Sequence, residues 1–155
     1  EIDGEEEAPE MISCDTTILF AACNADAVDH VASRIYLQEV SSREDFCLAE
    51  QVLLEFYVLL RNPVACSHPL SPQRAVGLVQ TFRSNPHWRI VDVVSGFGLM
   101  DRVWKDAGGR NFARRKVFDA RLARTLQHHG VTEFATRNIK EFKSFGFKKV
   151  WDPTD

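Results

Sequence analysis

Asp15 closes the apolar run Met11-Ile12-Ser13-Cys14 and is followed by two hydroxyls, Thr16 and Thr17. The stretch Met11–Phe20 reads as a short buried strand whose end carries that carboxylate. A strand that leads into a helix delivers its last residue to the crevice at the carboxyl edge of an open α/β sheet, where such folds bind ligands. Asp15 then points into a cleft, although an Asp after a strand also serves as a plain turn residue or helix N-cap. Glu55 is the second informative carboxylate. Its helix, Ala49–Arg61, is apolar nearly all round, with Val52, Val58 and Leu59 as three of its four helical neighbours. A carboxylate that cannot easily reach water needs a cation, a donor or a raised pKa, because burying an unpaired charge is costly. A structural pair with an arginine would meet the same need. Glu50 lies elsewhere on the helix and is expected to be exposed.

Asp119 sits mid-helix within Phe112–His129. Arg115 and Lys116, four and three residues before it, offer an ordinary surface ion pair. It also borders the stripe Phe118, Leu122 and Leu126, at the edge of the core. Asn138, in Thr136-Arg137-Asn138 at the end of a strand, shares the cleft position of Asp15 or is a plain turn residue. Weaker candidates fall away on context. His128-His129 end a helix, where the dipole favours cations. Gly96-Phe97-Gly98 and Gly108-Gly109 lack the strand-GxGxxG-helix setting of a phosphate loop. There is no Ser-His-Asp or Cys-His signature.

The elements that must position these groups alternate. After the first strand, Asn24 reads as the N-cap of a helix through Gln38, with Ala27, Val28, Val31, Ile35 and Tyr36 as its apolar stripe. Phe46-Cys47-Leu48 is a second strand running into Ala49–Arg61, which Asn62-Pro63 ends. Ser71-Pro72 opens a helix to Arg83, and Arg89–Val93 reads as a third strand. Ser95 caps a helix that stops at Gly108-Gly109, and the following helix closes at Gly130. Glu133–Thr136 is a fourth strand, Ile139–Phe145 a short helical turn and Lys148–Trp151 a last strand. Strands separated by helices imply an α/β fold, with a mostly parallel central sheet of four or five strands covered by helices on both faces.

At 155 residues the chain is about one domain and can bury a real core. The 4 cysteines show no CxxC spacing and sit in apolar segments, as small hydrophobes in a reducing compartment. No apolar run approaches the ~20 residues of a membrane span, so a cytoplasmic protein with no membrane association is expected. The net charge of −3 conceals a division. Residues 1–78 hold 4 Lys and Arg against 14 Asp and Glu, whereas residues 79–155 hold 15 against 8. The run 1–10 carries 6 of those acids and few apolar groups, so it is expected to be a disordered tail, with the domain spanning 11–155. A basic second half permits a polyanionic ligand, and it is equally compatible with a solvated face.

Asp15-Thr16-Thr17 after the first strand, Glu55-Phe56-Tyr57 in the second helix, Phe118-Asp119-Ala120-Arg121-Leu122-Ala123, and Ala135-Thr136-Arg137-Asn138-Ile139-Lys140-Glu141-Phe142 occur in the order and at the spacing of PIN domains. The chain most nearly resembles the toxin nucleases of VapC type, over essentially Met11 to Pro153. The resemblance implies a PIN-like three-layer sandwich and a metal-dependent endoribonuclease. Such a protein is often a homodimer, is held inactive by an antitoxin and acts on an RNA substrate. It also implies that Asp15, Glu55 and Asp119 bind Mg²⁺ or Mn²⁺, with Asn138 at a fourth catalytic position where many members have Asp. Three carboxylates gathered in one site repel and raise one another's pKa. A divalent cation resolves that repulsion and supplies hydroxide near neutral pH. Thr16 and Thr136 would orient ligands or the attacking water. Arg114, Arg115 and Lys116 would hold flanking phosphates. The same likeness accommodates a housekeeping RNA-processing nuclease, and a non-catalytic PIN-like module that binds RNA or a protein.

Overall fold

A computed structural model describes residues 9–155. The expected acidic tail, 1–10, lies outside the described residues except for Pro9 and Glu10, whose carboxylate pairs with Lys148 Nζ at 3.1 Å on the surface. The strands are β1 (Met11–Cys14), β2 (Phe46–Ala49), β3 (Arg89–Val91), β4 (Val131–Ala135) and β5 (Lys149–Trp151). They form one sheet in the order β3-β2-β1-β4-β5, with every pairing parallel. All four residues of β2 are buried, as a strand covered on both faces requires. The helices are α1 (Thr16–Cys23), α2 (His30–Val40), α3 (Glu50–Leu60), α4 (Pro72–Arg83), α5 (Leu99–Ala107), α6 (Lys116–His128) and α7 (Ile139–Phe142), the last continued by a 3₁₀ turn.

Strand order dictates the layers. From β1 through β3 the chain moves toward one edge of the sheet, then returns to the far side of β1 for β4 and β5. Right-handed crossovers put the helices of these two journeys on opposite faces. Accordingly α1 packs on α2 and α3, and α3 on α4, while α5 packs on α6. The direction changes between β1 and β4, where Cys14 is level with Ala135. The residues that follow, Asp15 and Thr136, are thereby delivered side by side to the carboxyl edge.

Phe46, Phe56, Phe134, Ile18, Leu19, Leu122 and Leu126 fill the core with no exposure. Trp88 joins them by donating its indole N–H to the Val40 carbonyl at 2.9 Å. Gly130 ends α6 in a left-handed conformation, φ 90°, and its carbonyl accepts the Met11 N–H at 3.0 Å. The cysteines are all free, Cys14 and Cys47 buried and Cys23 and Cys66 partly so. Among the described residues no helix is long and apolar enough to cross a membrane.

Several elements differ from their sequence pattern. The pattern predicts one helix between the first two strands, but there are two. Asn24 is the C-cap of α1, not the N-cap of α2. The stripe expected to anchor that helix faces water: Val28, Val31 and Ile35 are exposed. Of that stripe Tyr36 does reach the core, and the helix packs through it together with Ser33, Leu37 and Val40. Helical register depends on where the helix begins, so a start near Asp29 rather than Asn24 changes which residues meet the core. Helix α5 begins at Leu99 after a left-handed Gly98, so Ser95 does not cap it. The helix predicted from Phe112 begins at Lys116, which moves Asp119 from mid-helix to the first turn.

This burial pattern makes a contrasting pair of substitutions informative. Phe56→Ala should cost about 3–5 kcal/mol in urea-unfolding free energy. Val31→Lys should change it by no more than about 0.5 kcal/mol, whereas a core position would not tolerate lysine.

Candidate active site

Asp15 is held from two sides. As N-cap of α1 it accepts the Thr16 N–H on Oδ1 at 2.7 Å. Its Oδ2 accepts the hydroxyl of Thr136 at 2.9 Å. Thr136 is itself fully buried, and its Oγ1 accepts the Asn138 N–H at 2.9 Å. This chain of bonds fastens the end of β1 to the end of β4. Burial raises the Asp15 carboxyl from its ordinary 3.8 to about 6, the two hydrogen bonds oppose that rise, and the charge of Glu55 adds to it.

Glu55 comes from α3. Its Oε2 accepts the Thr16 hydroxyl at 2.9 Å, so Thr16 serves both carboxylates: its backbone holds Asp15 and its side chain holds Glu55. The sequence places Glu55 where water hardly reaches, but here it is exposed. Leu54 and Val58, at 66% and 59% exposure, leave that flank of α3 open. Glu55 makes no ion pair among the described residues. Glu50, expected to be free on the surface, is partly covered and pairs with Arg83 at 2.7 Å.

Asp119 enters from the first turn of α6. Its carboxyl also rises to about 6, first through burial and then through the charges of Asp15, Glu141 and Glu55, with Lys116 opposing. The surface ion pairs available to it in sequence, with Arg115 or Lys116, do not form among the described contacts. Asp15, Glu55, Asp119, Asn138 and Glu141 line one open pocket of about 470 Å³, together with Thr16 and Arg115. Leu54, Val58 and Leu59 form its apolar wall. Thr136 stands behind Asp15 rather than in the lining. Lys116 lines an adjoining hollow, and its ammonium lies 5.5 Å from the centre of the Phe145 ring. Arg114 lines neither space. Arg137 turns away to pair with Asp29 at 3.1 Å.

Two contributors escape the sequence reading. Glu141 lies three residues after Asn138, and that spacing puts both on one side of a helical turn, a signal that could have found it. Gln51 lies one turn before Glu55 and donates its amide to the Phe118 carbonyl at 3.0 Å and to Glu55 Oε1 at 3.4 Å. It thereby bridges the two helices that bring Glu55 and Asp119. No spacing rule announces a contact across 67 positions.

The donor set is entirely carboxylate and amide oxygen, the hard type that suits Mg²⁺ or Mn²⁺. Among the described residues, no three Asp, Glu, His or Cys side chains converge closely enough to enclose an ion as they stand. The fit therefore rests on donor chemistry and on the negative charge that Asp15 and Asp119 are reluctant to carry together.

An all-parallel sheet that collects carboxylates from β1, α3 and α6 at its switch point is the arrangement of the PIN class of domains. No protein-family model matches the chain. Ribonuclease VapC24 of Mycobacterium tuberculosis is 48% identical over 143 residues, 92% of this chain and 97% of the relative. Ribonuclease VapC48 of the same organism is 29% identical over 66% of this chain and 68% of its own length. The crystal structure of M. tuberculosis VapC20, a Sarcin-Ricin loop cleaving toxin, superposes with a TM-score of 0.64 at 20% identity, covering 88% of this chain and 95% of that one. The DNA-bound VapBC from Salmonella typhimurium gives a TM-score of 0.60 at 18% identity, over 94% and 99%. The chain belongs to the VapC ribonuclease family.

The raised Asp15 carboxyl carries a sign. Between pH 3.8 and about 6 the native state keeps a proton that the unfolded chain has released, so stability falls as pH rises through that window. In chelator at pH 7, Asp15→Asn should therefore raise the unfolding free energy by about 1–3 kcal/mol. That advantage should vanish below pH ~4, as read by urea titration at both pH values.

Proposed function

We propose that this protein is an endoribonuclease toxin that hydrolyses RNA phosphodiester bonds at the acidic pocket, using Mg²⁺ or Mn²⁺ held by Asp15, Glu55 and Asp119. The observation that carries this reading is the convergence of Asp15 and Asp119, far apart in sequence, on one pocket at the switch point, each with its pKa raised and neither paired with a cation among the described residues. Bound there, a divalent ion would neutralise that charge, polarise the phosphodiester and lower the pKa of water. Thr136 fixes the orientation of Asp15, and Thr16 that of Glu55. Asn138 adds a neutral oxygen where a fourth carboxylate would add charge. Arg115, at the pocket rim, is the cation placed to hold a phosphate. The tail 1–10 stands outside this domain, which spans 11–155 and acts in the cytoplasm. The family, together with the VapBC complex among the similar folds, supports an antitoxin as the restraining partner; the resemblance to VapC-type toxins implies a homodimer as the working unit.

The test is a cleavage assay on total RNA with EDTA, Mg²⁺ and Mn²⁺ arms and mapping of the product ends. Cleavage should require the divalent ion and fall at least ~100-fold in Asp15→Asn, while Thr136→Val should lose about 10–100-fold. RNA cleaved equally well in EDTA, or by Asp15→Asn, would refute the assignment, and no cleavage in any arm would leave a non-catalytic module as the better reading. Arg115→Ala should weaken RNA binding and reduce its salt slope by about 1, whereas Arg114→Ala should change the slope less.

A further inference from the structure

Beside the acidic pocket lies a second hollow of about 340 Å³, which shares Glu55, Asp119, Glu141 and Arg115 with it. Those side chains form a ridge between two chambers. On the pocket side the remaining apolar wall is Leu54, Val58 and Leu59 with the buried Phe142. On the far side it is Ala113, Lys116 and the ring of Phe118. Phe118 is 56% exposed although it directly precedes Asp119 in the first turn of a helix whose other apolar residues go to the core. Its backbone is nonetheless fixed, because its carbonyl accepts the Gln51 amide at 3.0 Å. The ring is thus an aromatic surface standing in water on a fixed stretch of backbone, one residue from a proposed metal ligand, with Arg115 and Lys116 in the lining of the same hollow.

That combination suits a particular ligand. An unpaired nucleobase offers a π-face of any sequence to an aromatic ring, and a positively charged rim tracks the backbone beside it. Arg115 lines both chambers, where a phosphate crossing the ridge would pass. Lys116 is drawn over Phe145, which leaves Arg115 the nearer phosphate contact. We propose that the second hollow is a nucleotide subsite, in which the base adjoining the scissile phosphate leaves its stack and lies on Phe118. The subsite rests on the endoribonuclease reading and extends it: the substrate class is RNA unpaired at the nucleotide next to the cut, and Phe118 is a specificity-determining residue rather than a catalytic one.

The probe is an unstructured RNA of about a dozen nucleotides, cleaved by the wild type with Mn²⁺, and a series of the same RNA carrying one abasic nucleotide at successive positions. Phe118→Ala should lower kcat/KM roughly 5- to 150-fold, the range of one lost base–aromatic stack, while Phe118→Trp should stay within about threefold of the wild type because it keeps a π-face. One abasic position beside the cut should cost the wild type a similar factor and cost Phe118→Ala nothing further. Thermal unfolding of each variant checks that the exposed substitution leaves the fold intact. A wild type that cleaves while Phe118→Ala matches it, or while the abasic penalty is the same in both proteins, overturns the subsite and leaves the nuclease reading standing. Loss of a protein partner with RNA cleavage unchanged in Phe118→Ala would also overturn it, assigning the ring to that partner. A wild type that cleaves no RNA overturns both.

Discussion

The hydrogen bond from Thr136 to Asp15 is the contact on which the site depends. It joins the ends of two neighbouring parallel strands at the point where the sheet changes direction, and it does so beneath the surface, where neither group has water as an alternative partner. Each residue of the pair has a further duty. Asp15 caps α1, and Thr136 accepts the backbone N–H of Asn138, so one buried contact also sets the entry to α1 and α7. The cleft that strand order creates in any open α/β sheet becomes here a cleft with its first carboxylate already aimed.

Around that contact the protein accumulates charge of one sign. Asp15 and Asp119 are raised to about 6 chiefly by burial; Glu55 adds to the rise at both, and Asp15 and Glu141 add to it at Asp119. Lys116 offsets part of that repulsion at Asp119 and Arg115 lines the same pocket, yet among the described residues neither pairs with these carboxylates, while Arg124 is committed to Asp106 at 2.7 Å and Arg137 to Asp29. Repulsion only partly relieved in this way is the usual signature of a binding site maintained at the expense of stability.

How much of this was legible beforehand follows from what each signal measures. The parallel α/β class, Asp15, Asp119 and the closing Thr136-Arg137-Asn138 were readable because strand ends and chain order determine where they fall. Glu55 was readable as a candidate, but its surroundings were not: the apolar residues around it suggested burial, and half of them face the open pocket. The same error misplaced Val28, Val31 and Ile35. Periodicity reports that a helix has an apolar side, while only packing decides whether the domain covers it. Helix α1 was hidden because Thr16–Cys23 is apolar nearly all round, so neither a period of two nor one of 3.6 stands out. Gln51 acts through a tertiary contact that no local pattern encodes, whereas the spacing of Asn138 and Glu141 on one helical turn does carry a local signal.

The two halves of the anchoring hydrogen bond lie 121 residues apart, and β4 is laid against β1 after most of the chain has been made. Domains acquire structure as the ribosome extrudes them from the amino end, and pairing between distant strands is the slow part of folding. The nascent polypeptide therefore carries Asp15 and Glu55 long before it has Asp119 or the threonine that orients the first of them. A chain interrupted during translation holds an incomplete acidic cluster.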